Sequence, residues 1–398
     1  MNKGTACSAK QAGLSALVLA ALGMVPVHMD AALVALALPA FQEVFGVRPH
    51  GLANLLKVHL LCFLLGLWPC GLAVDRGGAW NVFRAGAMVV VVGATWGLMA
   101  ASWGAILFAR GVQGIGCAAL LSSAAPLLFQ SAAEGQRSQA LARWSTLGAL
   151  TYAVSPLLGS GGLKVLGWQM LFAIPLLASG LAVAVALCCT PPAVARPAAS
   201  TQSGTGWWQG ISRCCVIGGL INLGFMPTFF LIGLLTRQAD GSALLLPLTL
   251  SLPVGGVVAE FAVRRLGAPR TLLASLSLAG CGQAVLGLVW HAGLPHALLA
   301  LPLASIGLGC AVAAPALLSI MLERESQGGI GKTMSLLALA RQAGSLAGVA
   351  AVGYLLGDRL AGAQAWVAGG LALPYLFAAV LSTSWLRSDR GVSRSFLC

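Results

Sequence analysis

The chain has 398 residues, of which 58% are hydrophobic and 8% are charged. Since about a quarter of the residues of a typical protein are charged, and a soluble core stops growing near roughly 250–300 residues, this composition excludes a single soluble domain. The net charge of +13 does not indicate nucleic-acid binding, because the basic residues stand between apolar runs, where they set membrane orientation.

Twelve apolar stretches are long enough to cross a bilayer, which takes about 20 residues. Each is predicted to be a helix, because a segment in lipid must satisfy its own backbone hydrogen bonds. The first is interpreted as a retained span, since no small-residue cleavage site precedes a polar domain. The predicted spans are 12–38, 52–74, 82–101, 104–129, 142–163, 167–189, 212–235, 243–263, 270–291, 294–321, 335–357 and 364–385.

The basic residues are distributed unevenly between the connections. If both termini lie on one side, that side collects 17 of the 23 Lys and Arg residues and the other collects four, with Lys57 and Arg110 inside spans. Because cytoplasmic loops carry the excess of positive charge, both termini are predicted to be cytoplasmic. We expect a multi-pass protein of a bacterial-type cytoplasmic (inner) membrane.

The middle of the chain reads as a linker. Residues 190–210, TPPAVARPAASTQSGTGWWQG, combine prolines with Ala, Ser, Thr and Gly, which is typical of a flexible connection. This predicts an N-terminal six-helix bundle over 1–189, a cytoplasmic linker, and a C-terminal six-helix bundle over 211–398.

The two halves resemble each other in sequence. GLAVDRGGA at 71–79 aligns with EFAVRRLGA at 260–268, GIGCA at 114–118 with GLGCA at 307–311, and one ALAR, at 140–143, with another at 338–341. Three matches in order at nearly one offset are hard to obtain by chance. They predict a duplicated six-helix unit related by an axis along the membrane normal.

Enzymatic and metal chemistry have no signature in the sequence. None of the 11 cysteines forms a C-x-x-C pair, and most lie inside apolar runs, where a cysteine behaves as a small hydrophobe. No nucleophile–base pair or phosphate-binding glycine loop is present. We therefore expect no enzyme activity, no metal and no cofactor.

Four ionisable residues fall inside spans at similar depth. Asp30 in span one, Lys57 and His59 in span two, and Arg110 in span four all lie roughly 8–12 Å below the outer surface at helical rise. Gln113 follows Arg110 by one helical turn. Because a charge in lipid costs several kcal/mol, these groups should face a water-filled cavity or one another.

Two interpretations of this cluster remain open. In the first, Asp30 is the proton-coupling or substrate-binding acid, tuned by Arg110, Lys57 and His59. In the second, a fixed ion pair holds spans one, two and four in register. The excess of cations over Asp30 would suit an anionic or zwitterionic substrate. Further polar candidates are His28, Asn222, Gln283 and Gln342.

Several motifs, taken together, resemble the major facilitator superfamily and, more narrowly, its drug:proton antiporter families. The order and spacing of the motifs carry this resemblance over nearly the whole chain. They are MDAALVALALP (29–39), GLAVDRGGA (71–79), RGVQGIGCA (110–118), SPLLG (155–159), LGWQMLFAIP (166–175) and ARQAGSLAG (340–348).

The resemblance implies roles for two further sets of residues. In the loop after span two, Gly71, Asp75, Arg76 and Gly78 correspond to a motif that latches the cytoplasmic side, with the glycines allowing backbones to approach closely. The alternative is a solvated turn carrying topogenic charge.

In span five, Pro156 and Gly159 correspond to an antiporter motif and would act as a hinge or as a packing site. In span eleven, Gly344 and Gly348 have the small-xxx-small spacing of a close helix contact.

The sequence also departs from the antiporter pattern. Ala32 and Ala35 replace a Thr and an Asn of the span-one signature, and Ala79 and Trp80 replace the second basic pair of the loop motif. The linker of about 20 residues stands where fourteen-helix antiporters have two more spans. These losses bear on drug efflux and leave the fold expectation untouched.

The resemblance implies an all-α membrane fold, with twelve helices in two pseudo-symmetric six-helix bundles. It also implies multidrug-type efflux of small organic molecules, by proton antiport with alternating access. Its expected partners are a small-molecule substrate, protons and the lipid bilayer, and the protein is expected to be a monomer. A dedicated exporter of one, possibly anionic, metabolite is the first alternative. A membrane sensor or scaffold without transport is the second.

Overall fold

The computed structural model describes residues 3–131, 137–189, 205–235, 241–323, 330–356 and 360–395. Throughout these ranges the backbone is α-helical, apart from two 3-10 turns and short connections, and no strand occurs in them. The chain divides into two compact units, Met1–Ala198 and Ala199–Cys398.

In the first unit, α6 is the central helix. It packs against α1, α4 and α5, while α5 also packs against α8 and α2 against α7. The helices are α1 (Lys3–His28), α2 (Asp30–Phe45), α3 (Pro49–Leu52), α4 (Asn54–Gly77), α5 (Ala79–Leu98), α6 (Trp103–Ser131), α7 (Arg137–Leu166) and, after a 3-10 turn at Gly167–Gln169, α8 (Met170–Cys188).

In the second unit, α12 takes the corresponding place. It packs against α10 and α11, while α13 packs against α9, and α11 packs against the last two helices. The helices are α9 (Thr205–Leu235), α10 (Gly241–Leu266), α11 (Ala268–His291), then, after a 3-10 turn at His296–Leu299, α12 (Ala300–Glu323), α13 (Ile330–Leu356), α14 (Leu360–Gly370) and α15 (Ala372–Ser395).

Wherever the residues of the twelve predicted spans are described, they are almost entirely helical. By length and composition, ten stretches of the described chain can cross a membrane, and the bent pair α1–α2 makes an eleventh. One of the ten, Thr146–Cys188, has 43 residues, about twice what a bilayer requires, and contains both α7 and α8. The predicted all-α membrane fold is confirmed.

Part of the predicted linker is helix. Residues 190–204 lie outside the described residues, but α9 already begins at Thr205, so the last six residues of the 190–210 stretch belong to a helix. The reason is local, because Trp207 and Trp208 run into the apolar stretch of span seven without a proline between them. The exact bundle boundaries stay a prediction.

Span one is not a continuous helix. Its two parts, α1 and α2, meet at Met29 with a bend of 40°. Pro26 lies one turn before the bend, and a proline inside a helix removes a backbone N–H and displaces the preceding turn. As a consequence, Asp30 is the first residue of α2, directly after the bend.

The aligned loops of the two halves adopt the same turn. Gly78 has φ +82° and ψ 148°, and Gly267 has φ +80° and ψ 156°. Each donates its N–H to the carbonyl four residues earlier, at 3.0 Å. This backbone region is open almost only to glycine, so both units require glycine at the turn between their second and third spans.

The aligned glycines of spans four and ten make equivalent contacts. A Cβ at Gly116 would lie 2.8 Å from the backbone nitrogen of Val90, and a Cβ at Gly309 would lie 2.8 Å from that of Ala279. Val90 and Ala279 are themselves equivalent at the loop offset of 189. The two units therefore build the same close helix crossings, as expected of a duplicated unit.

The predicted small-residue contact of span eleven is confirmed. A Cβ added at Gly344 or Gly348 on α13 would meet the carbonyl oxygens of Gly219 or Leu223 on α9. The helices approach so closely because no side chain stands between their backbones.

Candidate functional site

The first unit holds a buried ion pair between α2 and α6. Arg110 Nη1 lies 2.7 Å from Asp30 Oδ1, and Arg110 Nη2 donates to Asp30 Oδ2 at 2.8 Å. Arg110 is 1% exposed and Asp30 is 7% exposed. Two parallel charge-assisted hydrogen bonds fix both planar groups, which is the strongest geometry an arginine and a carboxylate can form.

Arg110 also joins a third helix. Its Nε donates to the backbone carbonyl of Leu55 on α4 at 3.2 Å, and its Nη1 donates to Gln113 Oε1 at 2.9 Å. The guanidinium thus bonds to groups on α2, α4 and α6. Any motion of these helices relative to one another must change its hydrogen bonds.

His59 completes the cluster from α4. Its Nε2 lies 3.8 Å from Asp30 Oδ2, within ion-pair range but beyond hydrogen-bond distance. The residue is 2% exposed, and its Nδ1 has no hydrogen-bond partner among the described residues. Gly114 brings α6 to this level, because a Cβ there would meet the His59 carbonyl oxygen.

Gln113 supports the pair from the same helix. Its Oε1 accepts from Arg110, while its Nε2 has no partner within the described part of the chain. Gly93 of α5 approaches closely, since a Cβ there would lie 3.1 Å from Gln113 Cγ. Gln113 therefore holds Arg110 from the side of α5.

Lys57 is not part of the cluster. It is half-buried, and it makes no hydrogen bond or ion pair with any described residue. It shares a helix face with Leu61 and Leu65, which are 45% and 67% exposed. The structure thus brings together Asp30, His59, Arg110 and Gln113, while Lys57 lies on the exposed side of α4.

The residues of the predicted latch lie at the opposite end of α4. Asp75 and Arg76 are both exposed, and neither has an ion pair among the residues that the structure describes. No described atom lies within 4 Å of a Cβ built at Gly71, so the close approach predicted there is not found. Gly78 is required by its backbone angles instead.

The predicted hinge residues lie inside a continuous helix. α7 runs through Pro156, and the hydroxyl of Ser155 donates to the carbonyl of Tyr152 at 2.6 Å. A Cβ at Gly159 would lie 2.6 Å from Leu36 Cδ1 on α2. Gly159 therefore sets how closely α7 packs on the helix that begins with Asp30.

His28 packs instead of joining the charged cluster. Its ring meets the ring of Tyr152 edge-on, with centroids 5.2 Å apart, and its Nδ1 lies 3.3 Å from the carbonyl oxygen of Met24. The contact ties the end of α1 to α7.

Two smaller polar clusters lie in the described part of the second unit. Asn222 donates to Ser345 at 3.2 Å and accepts from Arg341 Nε at 3.4 Å. In the other, Thr228 donates to Gln283 Oε1 at 3.2 Å, and Gln283 donates to the carbonyl of Ala368 at 3.0 Å.

Sequence reasoning named Asn222 and Gln283 but missed their partners Ser345 and Thr228. For Ser345 a signal existed, because it follows Arg341 by four residues on one face of α13. Thr228 and the carbonyl of Leu55 carry no sequence signal of their own.

Two bundles of apolar helices long enough to cross a bilayer, one of them with a buried charged cluster, define an α-helical multi-pass membrane protein. The fold is similar to that of the D-xylose-proton symporter, with a TM-score of 0.75 and 14% identity over 92% of this chain and 97% of that chain. An auto-inhibited POT family peptide transporter gives a TM-score of 0.74 at 14% identity, over 95% and 97%.

The Major Facilitator Superfamily model matches residues 20–349, and the chain belongs to that superfamily. The resemblance of its motifs to this superfamily is thereby confirmed. Because this is a superfamily of membrane transporters, membership makes the chain a transporter and not an enzyme.

The relatives include proteins named for resistance to single antibiotics. A methylenomycin A resistance protein of Streptomyces coelicolor is 24% identical over 84% of this chain and 84% of its own length. Another, from Bacillus subtilis, is 22% identical over 98% and 97%. The tetracenomycin C resistance and export protein of Streptomyces glaucescens is 27% identical over 59% of this chain and 46% of its own length.

Proposed function

We propose that this protein exports small organic molecules across the bacterial cytoplasmic membrane in exchange for protons. The single observation that carries the proposal is the buried pair of Asp30 and Arg110 beside His59. The names of the relatives support the direction of transport, because they describe resistance and export.

The physical argument rests on the cost of the buried charges. Removing one partner of a buried ion pair leaves an uncompensated charge and costs about 3–5 kcal/mol. The pair therefore opens only when another charge compensates it, and a proton arriving at the cluster does so. Because Arg110 bonds to groups on three helices, opening the pair frees those helices to rearrange.

The remaining expectations belong to the same proposal. Asp75 and Arg76 would latch the cytoplasmic side in one conformation, with Gly71 and Gly78 in the turn, and Pro156 and Gly159 would let α7 bend. Both termini would be cytoplasmic and the protein a monomer. The uneven distribution of Lys and Arg supports the orientation.

The test is Asp30→Asn in everted membrane vesicles that carry a pH gradient. Candidate compounds, with methylenomycin A and tetracenomycin C among them, are added to wild-type vesicles, and proton release and compound uptake are recorded. The variant should insert normally and lose gradient-driven uptake. Glu260→Gln is the matched control, because this exposed carboxylate pairs with Arg264 on the helix surface, away from the buried cluster.

Normal gradient-driven uptake by Asp30→Asn would reject the coupling role. Uptake by the wild type that is unaffected by collapse of the pH gradient would reject proton antiport as a whole.

A dedicated exporter of one anionic compound is the second candidate, and two observations favour it. Within the described residues Arg110 neutralises Asp30, while Lys57 stays half-buried in span two without a counter-charge. Two relatives that match most of the chain are named for one antibiotic. Export of one acidic compound, weakened in Lys57→Gln, with no effect on a panel of cationic dyes, would identify this function.

A further inference from the structure

The ring of His59 is the least satisfied polar group in the charged cluster. Its side chain is 3% exposed, its Nδ1 has no hydrogen-bond partner among the described residues, and its Nε2 stops 3.8 Å from Asp30 Oδ2. Buried polar atoms without a partner are rare, because desolvation costs free energy that no bond returns. A buried histidine without a hydrogen bond therefore needs an explanation, such as a function that requires a free ring nitrogen.

Asp30 itself is poorly placed to take a proton in this conformation. Both of its oxygens accept charge-assisted hydrogen bonds from Arg110, at 2.7 and 2.8 Å. Protonation of either oxygen would break one of these bonds and leave the guanidinium partly unpaired. Protonation of His59 breaks no bond.

The neighbouring carboxylate also selects the nitrogen that is free. In a neutral imidazole one nitrogen carries the hydrogen and the other a lone pair. With Nε2 facing Asp30 Oδ2, the favourable tautomer has its hydrogen on Nε2 and its lone pair on Nδ1. Nδ1 has no hydrogen-bond partner among the described residues, so it is an open position for a proton.

We propose that His59 is the group that takes up the transported proton, and that the imidazolium then competes with Arg110 for Asp30. The proposal rests on the proton coupling proposed above and names the proton-binding atom. The proton adds to Nδ1 from water, and Nε2–H closes on Asp30 Oδ2 as the second cation. Shared between two cations, Asp30 holds Arg110 less strongly, and release of the proton restores the pair.

Few other charged groups face His59 from the helices around it. Arg84, on α5, lies on the far side of the turn at Gly78, about 20 Å away in depth at helical rise. Asp30 and Arg110 are therefore the charged groups that lie beside the ring. Besides His59, the titratable and charged residues on α4 are Lys57, Cys62, Cys70, Asp75 and Arg76. Those on the helices packed against α4 are Asp30 and Glu43 on α2, His50 on α3, whose side chain lies outside the described residues, Arg84 on α5, and Arg110 and Cys117 on α6.

The experiment reads the protonation of His59 directly in the purified full-length protein, without a substrate. The chain has five histidines, so 15N-histidine labelling gives few signals, and His59→Gln assigns the one that disappears. Should His59→Gln fail to fold, His59→Asn or assignment of the other four histidines gives the same result. The signal is followed between about pH 8 and pH 5, where histidine titrates.

In the wild type the His59 signal should change from the neutral tautomer with Nε2–H to the imidazolium. In Asp30→Asn, which lacks the counter-charge, this change should be lost or displaced to lower pH. His291→Gln is the control, because His291 packs against Trp366, with ring centroids 5.1 Å apart, and should not affect the His59 signal.

A His59 signal that stays neutral over the whole range, or titrates identically in Asp30→Asn, would overturn the inference. The two proposals fail separately. If gradient-driven transport requires Asp30 while His59 stays neutral, proton antiport stands and proton uptake by His59 is rejected. If His59 titrates but transport does not depend on the pH gradient, the proposed proton antiport is rejected.

Discussion

The two units share one helix framework, and the first carries the buried ion pair of Asp30 and Arg110 at its centre. Gly114 in α6 packs against the carbonyl of His59, and its equivalent Gly307 in α12 packs against the carbonyl of Leu248. At the same offsets, Arg110 corresponds to Leu303, which is 1% exposed, while Leu248 is 0% exposed. The second unit thus shows the crossing with leucines in place of the histidine and the arginine.

This difference separates what the fold requires from what transport requires. If leucines suffice to build the crossing in one half, the charges of the other half are not needed for packing. Replacing a buried ion pair by apolar residues of similar volume is often neutral or stabilising. We therefore expect the cluster of Asp30, His59 and Arg110 to serve the proposed proton coupling and not the packing of the helices.

The largest effect is expected when one residue of the second unit is introduced at the equivalent position of the first. Arg110→Leu places the residue of the second unit in the first and leaves Asp30 buried without a partner. We expect a loss of about 3–5 kcal/mol in the free energy of unfolding, measured in detergent, and no gradient-driven transport. The double variant Asp30→Leu with Arg110→Leu should regain most of the stability and none of the transport. A double variant no more stable than Arg110→Leu alone would contradict the separation of fold and function.

The shared framework predicts equal sensitivity at the equivalent glycines. Gly116→Ala and Gly309→Ala each place a Cβ 2.8 Å from a backbone nitrogen of the neighbouring helix. Both should lower the free energy of unfolding by about 1–3 kcal/mol. Gly161→Ala is the control, because no described atom lies within 4 Å of its Cβ. A large effect in one unit and none in the other would show that the crossings are not equivalent.

The turns provide the mildest test. Gly78→Ala and Gly267→Ala introduce strain through backbone angles alone, since a Cβ at either position meets no described atom within 4 Å. Each should cost about 1–3 kcal/mol, at the lower end where the turn can relax. Gly71→Ala, inside α4, should have no such cost, since alanine is the better helix former. Thermal unfolding of the three purified variants checks this order.

The sequence predicted the features that depend on composition and local spacing. The spans followed from apolar length, and the aligned loops predicted related halves, in which Gly78 and Gly267 take the same backbone angles. The residues Asp30, His59 and Arg110 were expected at one depth because helical rise converts position into depth. Their contact in the structure agrees with that counting.

The sequence did not predict which side of α4 faces α2, which backbone carbonyl accepts from Arg110, or the bend of span one. These features depend on the rotation of the helices and on backbone groups. Lys57 and His59 are two residues apart, which places them on opposite sides of α4, and periodicity alone does not say which side faces α2. The carbonyl of Leu55 accepts from Arg110 but looks like any other backbone group in a sequence. The bend at Met29 depends on how the turn around Pro26 packs, which the proline alone does not fix.

The central claim is that the pair of Asp30 and Arg110 couples proton movement to transport. The most direct measurement compares two activities of Asp30→Asn in proteoliposomes: exchange of a transported compound at equal pH, and its accumulation under a pH gradient. The account predicts that exchange persists and that accumulation is lost. Accumulation at the wild-type level would contradict it.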